Sequence, residues 1–151
     1  MRLLYILIFS FLLSPSIGSS QILEPVKWTF SKKQISENKY ELTFVADIEK
    51  GWAVYSKDIY NTGVDCEIEI CPVPVTFEYN RGSDSEKEFY LIGDGVEEDT
   101  NKKVSQDPIF LMEVTKFEKQ AVFRQIIELK NKDMSISGFL TFMTCDDTKC
   151  L

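Results

Sequence analysis

Apolar residues recur at every second position through most of this chain, and that periodicity limits the fold more than any other feature. Val26, Trp28 and Phe30 alternate with polar neighbours, as do Tyr40, Leu42, Phe44, Ala46 and Ile48, with Lys50-Gly51 as the turn that follows. Trp52 and Val54 continue the pattern, then Val73, Val75, Phe77 and Tyr79, closed by the turn-forming run Asn80 to Asp84. A short strand is expected at 89–93, an alternation of Phe110, Met112 and Val114 follows Asp107-Pro108, and further strands are expected over 121–129 and 135–145. Side chains that face opposite ways along a strand give this period of two; a helix needs about 3.6, and no stretch sustains it. Eight or so short strands joined by turns imply an antiparallel β-sandwich. No cysteine pair brackets a tryptophan, so the antibody subtype of sandwich is not indicated, and Trp28 and Trp52 are expected in the core.

The sandwich begins after a leader. Met1-Arg2 is a positive start, Leu3 to Leu13 is apolar apart from Ser10, and residues 14–20 are small and rich in breakers. That is the pattern of a secretory signal peptide over residues 1–20, with the mature domain at 21–151. The apolar run is about half what a membrane-spanning helix needs, so no membrane insertion is expected after cleavage. Cleavage removes one of the 17 basic residues and none of the 24 acidic ones, moving the net charge from −7 to −8. Such a balance disfavours nucleic acid and anionic membrane surfaces as partners.

The chain has no histidine. Imidazole-based acid–base chemistry, Ser-His and Cys-His nucleophiles and imidazole-ligated zinc are therefore excluded. Chemistry must come from thiols, carboxylates or hydroxyls. All four cysteines, Cys66, Cys71, Cys145 and Cys150, lie in the exported part, where disulfides persist. Two C-x4-C spacings 73 residues apart do not resemble the tighter knuckles of structural zinc sites, so no metal or other cofactor is expected.

Four cysteines allow three pairings. A fully extended C-x4-C segment would separate its ends by roughly 16 Å, so a local bridge needs a turn. "DDTK" between Cys145 and Cys150 is turn material. "EIEI" between Cys66 and Cys71 reads as a strand, although Pro72 and Pro74 make the segment irregular. A local, structural Cys66–Cys71 bridge, pairing elsewhere and free thiols all remain open. A bridge across so short a loop gains little chain entropy, and exposed turn disulfides tend to exchange. The pair Cys145/Cys150 is thus as consistent with redox work as with a staple. Asp146 and Asp147 disfavour thiolate, and Lys149 offsets only part of that, so these thiols are expected to need an activated partner.

Several segments, taken in order, point to a family. "PVKWTFS", "IEKGWAVYSKDI", "PVPVTFEYN", "DPIFLMEVTKFE" and "FMTCDDTKCL" together resemble the N-terminal periplasmic domain of the thiol:disulfide interchange protein DsbD, over roughly residues 24–151. The resemblance implies an immunoglobulin-like sandwich with a redox cysteine pair, acting in the periplasm as a protein-disulfide reductase component. A thioredoxin-like donor, fed by a membrane-embedded reductase, would reduce the pair. The pair would then reduce disulfide-carrying client proteins, such as isomerases and cytochrome c maturation factors. It further implies that Cys150 forms mixed disulfides and Cys145 resolves them. "DPIFL" would be a cap loop over the sulfurs, with Asp107, Ile109 and Phe110 nearest, and Tyr55 an active-site aromatic.

The chain also departs from that family. "NTGVDCEIEIC" looks like an insertion with an extra cysteine pair, and Ala53 stands where relatives carry a second aromatic. Relatives continue with a further strand after the second cysteine, so the expectation is a C-terminal truncation: either a fragment, or a domain lacking its last strand with an edge left unpaired. The rival reading is a secreted, non-enzymatic binding module with structural disulfides. A weaker one is a copper- or haem-handling chaperone, for which the four methionines, none in a Met-x-x-Met cluster, give little support.

Overall fold

The computed structural model describes residues 22–59, 71–80, 89–131 and 135–151. The expected leader at 1–20 and Cys66 lie outside the described residues. Among the described residues the regular structure is entirely β. Ten strands follow in chain order: β1 (Val26–Gln34), β2 (Lys39–Ile48), β3 (Ala53–Tyr55), β4 (Thr76–Tyr79), β5 (Phe89–Glu97), β6 (Lys102–Gln106), β7 (Glu113–Phe117), β8 (Gln120–Leu129), β9 (Gly138–Thr141) and β10 (Thr144–Cys145). They form an antiparallel sheet β1-β2-β8-β5, a second antiparallel sheet β10-β3-β7-β6, and a two-stranded pair β4-β9. This is an immunoglobulin-like β-sandwich.

The period of two explains the layers. Along β8, Ala121, Phe123, Gln125, Ile127 and Leu129 are buried while the residues between them are half-exposed. Ala46, Ile48, Ala121 and Phe123 of the first sheet meet Trp52, Val54 and Phe117 from the second, with Val75 beside them. Phe123 sits at the centre, with ring centroids 6.0 Å from Trp28, 5.5 Å from Phe77 and 5.7 Å from Phe117. Phe117 and Phe123, the fully buried rings of this group, each contribute roughly 1.5–3 kcal/mol by leaving water. Trp52 is buried and Trp28 half-buried against the same cluster, as alternation predicts. Phe30 departs from it: β1 is an edge strand, and the ring is 62% exposed, edge-on to Phe44.

The turn into β3 is built by Gly51. The Trp52 N–H donates to the Glu49 carbonyl, and Gly51 takes φ +88°, which a side chain would resist. Trp52 and the strand after it are thereby delivered into the second sheet, where the site lies.

Several expected strands differ in detail. β4 starts at Thr76 rather than Val73, because Pro72 and Pro74 have no N–H to give a ladder. β5 runs on to Glu97 through an irregularity between Ile92 and Val96, where the buried Gln125 amide donates to the Ile92 and Gly93 carbonyls. β6 has no apolar pattern, and Val104 is 58% exposed; it is a strand because it pairs with β7, not because it buries a face. Phe110 and Met112 are not strand residues but lie in the turn between β6 and β7. The single strand expected over 135–145 is two. β9 pairs with β4 and β10 with β3, because one strand cannot reach both sheets; the chain crosses at Phe142-Met143. Gly138 permits the first pairing, since a Cβ there would run into the Glu78 carbonyl.

Candidate redox site

Cys145 and Cys150 are joined by a disulfide, with Cα atoms 4.1 Å apart. The hairpin that joins them is closed by one side chain. The Asp146 carboxylate accepts from the Thr148 N–H at 2.7 Å, the Thr148 hydroxyl at 2.7 Å and the Lys149 N–H at 2.9 Å. An aspartate whose carboxylate bonds the backbone two residues on is an Asx-type turn, which is how "DDTK" folds the C-x4-C segment back. The Thr148 hydroxyl, more than any other group, holds this carboxyl below the usual range. Lys149, expected to sit near the thiols, extends its ammonium over the Trp52 ring instead, 5.7 Å from the centroid.

After the turn the chain pairs back on itself. Thr144 and Leu151 exchange both backbone hydrogen bonds, at 3.2 and 2.9 Å. Cys150 and Leu151 thus lie alongside β10. Because Asp146 preorganises this hairpin, Asp146→Ala should lower the effective concentration of one thiol at the other. A tenfold loss would make the pair more oxidising by about 30 mV. Equilibration of the dithiol with a glutathione buffer measures this, and Asp146→Asn, which keeps the accepting oxygen, should recover most of the shift. Equal potentials for Asp146→Ala and the parent would show that the turn does not set the pairing.

The sulfurs face a closed apolar cluster. Tyr55, Ile59, Phe110, Val114 and Cys145 are buried together, with Ile109, Met112, Met143 and Cys150 packed against them. Tyr55 ends β3, two positions beyond Ala53, which pairs with Cys145, and so lies on the same face of the strand as Ala53. Its ring meets Phe110 edge-on, with centroids 5.8 Å apart. Phe110 is 4% exposed although it lies in a turn, because it packs into the cluster with Cys145 while Leu111 beside it stays exposed.

Asp107, 1% exposed, holds that turn. One carboxylate oxygen accepts from the Ile109 and Phe110 N–H groups at 3.0 and 3.2 Å. The other accepts from the Tyr55 hydroxyl at 3.0 Å and the Lys116 ammonium at 3.1 Å. Its backbone closes the loop, bonding the Met112 carbonyl at 2.8 Å and the Leu111 N–H at 2.9 Å. Burial by itself opposes ionisation here. The Lys116 ammonium, the two N–H groups and the Tyr55 hydroxyl outweigh it, and the carboxyl lies below its usual range. Burial, then the neighbouring carboxylate, push the Tyr55 phenol far upward, so it stays protonated and donates.

The structure thus brings together Tyr55, Asp107, Ile109, Phe110, Cys145 and Cys150, all singled out in the sequence. Cys71 is disulfide-bonded and lies outside this cluster. Sequence reasoning missed Lys116, Met112 and Met143. It also missed a second buried carboxylate, Glu97, which accepts from the Ser56 hydroxyl at 2.6 Å and the Lys57 N–H at 3.1 Å and pairs with Lys102 at 2.6 Å. Glu97 belongs to the first sheet and Ser56 follows β3 of the second, so this group fixes the strand that carries Tyr55. Only distant register links these residues, and no local motif marks them.

Comparison with known proteins gives one likeness of fold. No family model matches the chain, and no curated protein matches it. Among solved structures, the chain is similar to the N-terminal periplasmic domain of ScsB from Proteus mirabilis, with a TM-score of 0.50 and 14% identity. The match covers 88% of this chain and 47% of that one, so the chain spans about half the length of that structure.

Proposed function

We propose that this chain is an exported thiol–disulfide relay domain, residues 21–151, working in the periplasm through Cys145 and Cys150. One observation carries the reading: a disulfide in a short hairpin, whose sulfurs are covered by a turn pinned on a buried aspartate. A structural staple across so small a loop would add little, and it would need no cover. The fold shared with a periplasmic domain supports the compartment, and the resemblance to the DsbD N-terminal domain supports the direction of electron flow.

The chemistry balances with cysteines alone. A thiolate of a thioredoxin-like donor, itself recharged by a membrane-embedded reductase, attacks the Cys150 sulfur. The Cys145–Cys150 bond breaks, and its electron pair leaves on Cys145, which takes a proton. The donor's second thiolate then closes the donor disulfide and releases Cys150 as a thiolate. Two electrons have entered the pair. In the onward step Cys150 attacks a client disulfide, and Cys145 resolves the mixed disulfide. The cap of Ile109 and Phe110 keeps the reduced sulfurs from small oxidants until a partner displaces it.

Native redox lability tests the reading. Thioredoxin with its reductase should reduce the Cys145–Cys150 bridge without denaturant, and faster than the same concentration of glutathione; quenched alkylation and mass measurement follow both. A bridge that opens only in urea would instead identify a structural disulfide in a secreted binding module.

A further inference from the structure

The chain has four methionines, and the two that fall among the described residues, Met112 and Met143, both pack against the buried cluster that holds Cys145 and Phe110. Met112 holds the 107–112 turn in two ways. Its carbonyl accepts from the Asp107 N–H at 2.8 Å and so closes the turn. Its thioether side chain supplies part of the apolar contact between the turn and the cluster. The turn depends on such contacts, because Leu111 is held at φ +55°, a left-handed conformation that a leucine resists. Met112 is only half-buried, between Leu111, which is 79% exposed, and the exposed Glu113, so small solutes have access to it. Met143 differs. It lies where the chain crosses from β9 to β10, a segment held by the pairing of β10 with β3.

We propose that Met112 is an oxidation site, and that its modification releases the 107–112 turn from the cluster that holds the cysteine pair. The oxidant is a peroxide. The thioether sulfur attacks one peroxide oxygen and the O–O bond breaks. That oxygen stays on sulfur as a sulfoxide, and the other leaves with both protons as water. The sulfur has lost two electrons and the peroxide has gained them. The sulfoxide is polar, and the cluster has no donor to offer it. Among its described side chains the Tyr55 hydroxyl is the one strong donor, and its proton already goes to Asp107. A buried polar group without a partner favours water. The oxidised side chain therefore leaves the cluster and draws the closing carbonyl away from Asp107. This inference rests on the proposed relay and gives it a regulation: peroxide speeds the entry of electrons into the pair. With no free cysteine among the described residues, the oxidised resting form meets peroxide at its thioethers and not at a thiol.

The test treats the disulfide form with hydrogen peroxide and assigns the modified residues by peptide mass mapping. Once Met112 is a sulfoxide, reduction of Cys145–Cys150 by thioredoxin and by glutathione should each quicken about tenfold, the lower end of what an unpaired buried polar group costs. Exchange of the Asp107 amide, followed by NMR, should quicken by a similar factor, while amides of β2 and β8 keep their protection. Met112→Leu, a swap of similar volume, should make both readouts insensitive to peroxide. Met143→Leu should respond as the parent does. Methionine sulfoxide reductases for both epimers should restore the slow rates. The proposal is overturned if Met112 stays unmodified at peroxide concentrations that oxidise free methionine, or if its sulfoxide leaves the Asp107 amide protected. It is equally overturned if treated Met112→Leu quickens like the parent, or if β2 and β8 lose protection together with Asp107, which is general unfolding. Failure of the relay reads separately. An untreated chain reduced by thioredoxin no faster than by glutathione sinks the relay, while the Asp107 amide still reports whether the sulfoxide opens the turn.

Discussion

Replacing Asp107 with Ala should cost about 3–5 kcal/mol of folding stability, the penalty for breaking a buried ion pair by removing one partner. The size follows from what is left behind. The Lys116 side chain is only 14% exposed, and its counter-charge would be gone. The buried Tyr55 hydroxyl would lose its acceptor, and the Ile109 and Phe110 N–H groups would lose theirs. Urea unfolding measures the loss. Adding Lys116→Met should recover part of it, because the uncompensated charge is then removed. The same substitution unpins the covering turn, so the reduced pair should oxidise faster in air, and Lys116→Met should not restore that protection. Stability lost with no change in oxidation rate would mean the turn stays closed without its anchor. The sign of the pH dependence is fixed by the depressed carboxyl. The stabilisation is fully present above the ordinary aspartate range and is lost as pH falls through the lower folded-state value. The cover should therefore remain closed at neutral pH and through mild acid.

How much of this was legible in the sequence depends on the range of the interactions. The alternating runs located β2, β3 and β8, because each buries one face against a single core and one residue in two reports it. The Asx turn at Asp146 was equally readable, since its hydrogen bonds close within three residues. Longer-range features were not. β6 became a strand by pairing with β7, and "KKVSQ" carries no burial pattern to announce that. The split of 135–145 depends on which sheets flank Gly138 and Thr144, knowledge no local window contains. Tyr55, Asp107, Phe110 and the cysteines were found together only through resemblance to a family; spacing alone does not relate residues up to 95 positions apart. Lys116 and Glu97 escaped both routes. Each is an unremarkable charged residue in sequence, made important by neighbours that the sandwich supplies.

Substituting the two site cysteines one at a time should give opposite outcomes, and the structure supplies the reason. Cys145 is 4% exposed and sits in β10, with β3 on one side and the returning hairpin on the other. Its sulfur is therefore the less accessible of the two to a protein thiolate. Cys150 is half-buried, packed against the apolar cluster that holds Phe110. Attack should therefore fall on Cys150, with Cys145 as the leaving group. Cys150→Ser should abolish transfer from thioredoxin and form no mixed disulfide, because the remaining thiol is enclosed. Cys145→Ser should also stop net turnover but accumulate a stable mixed disulfide through Cys150, since no internal thiol remains to resolve it. Non-reducing electrophoresis after reaction with a thioredoxin that lacks its resolving cysteine distinguishes the two. Mixed disulfides of equal yield from both variants would show that burial does not choose the attacked sulfur. Adduct from Cys150→Ser alone would reverse the assignment and make the buried cysteine the one that partners reach.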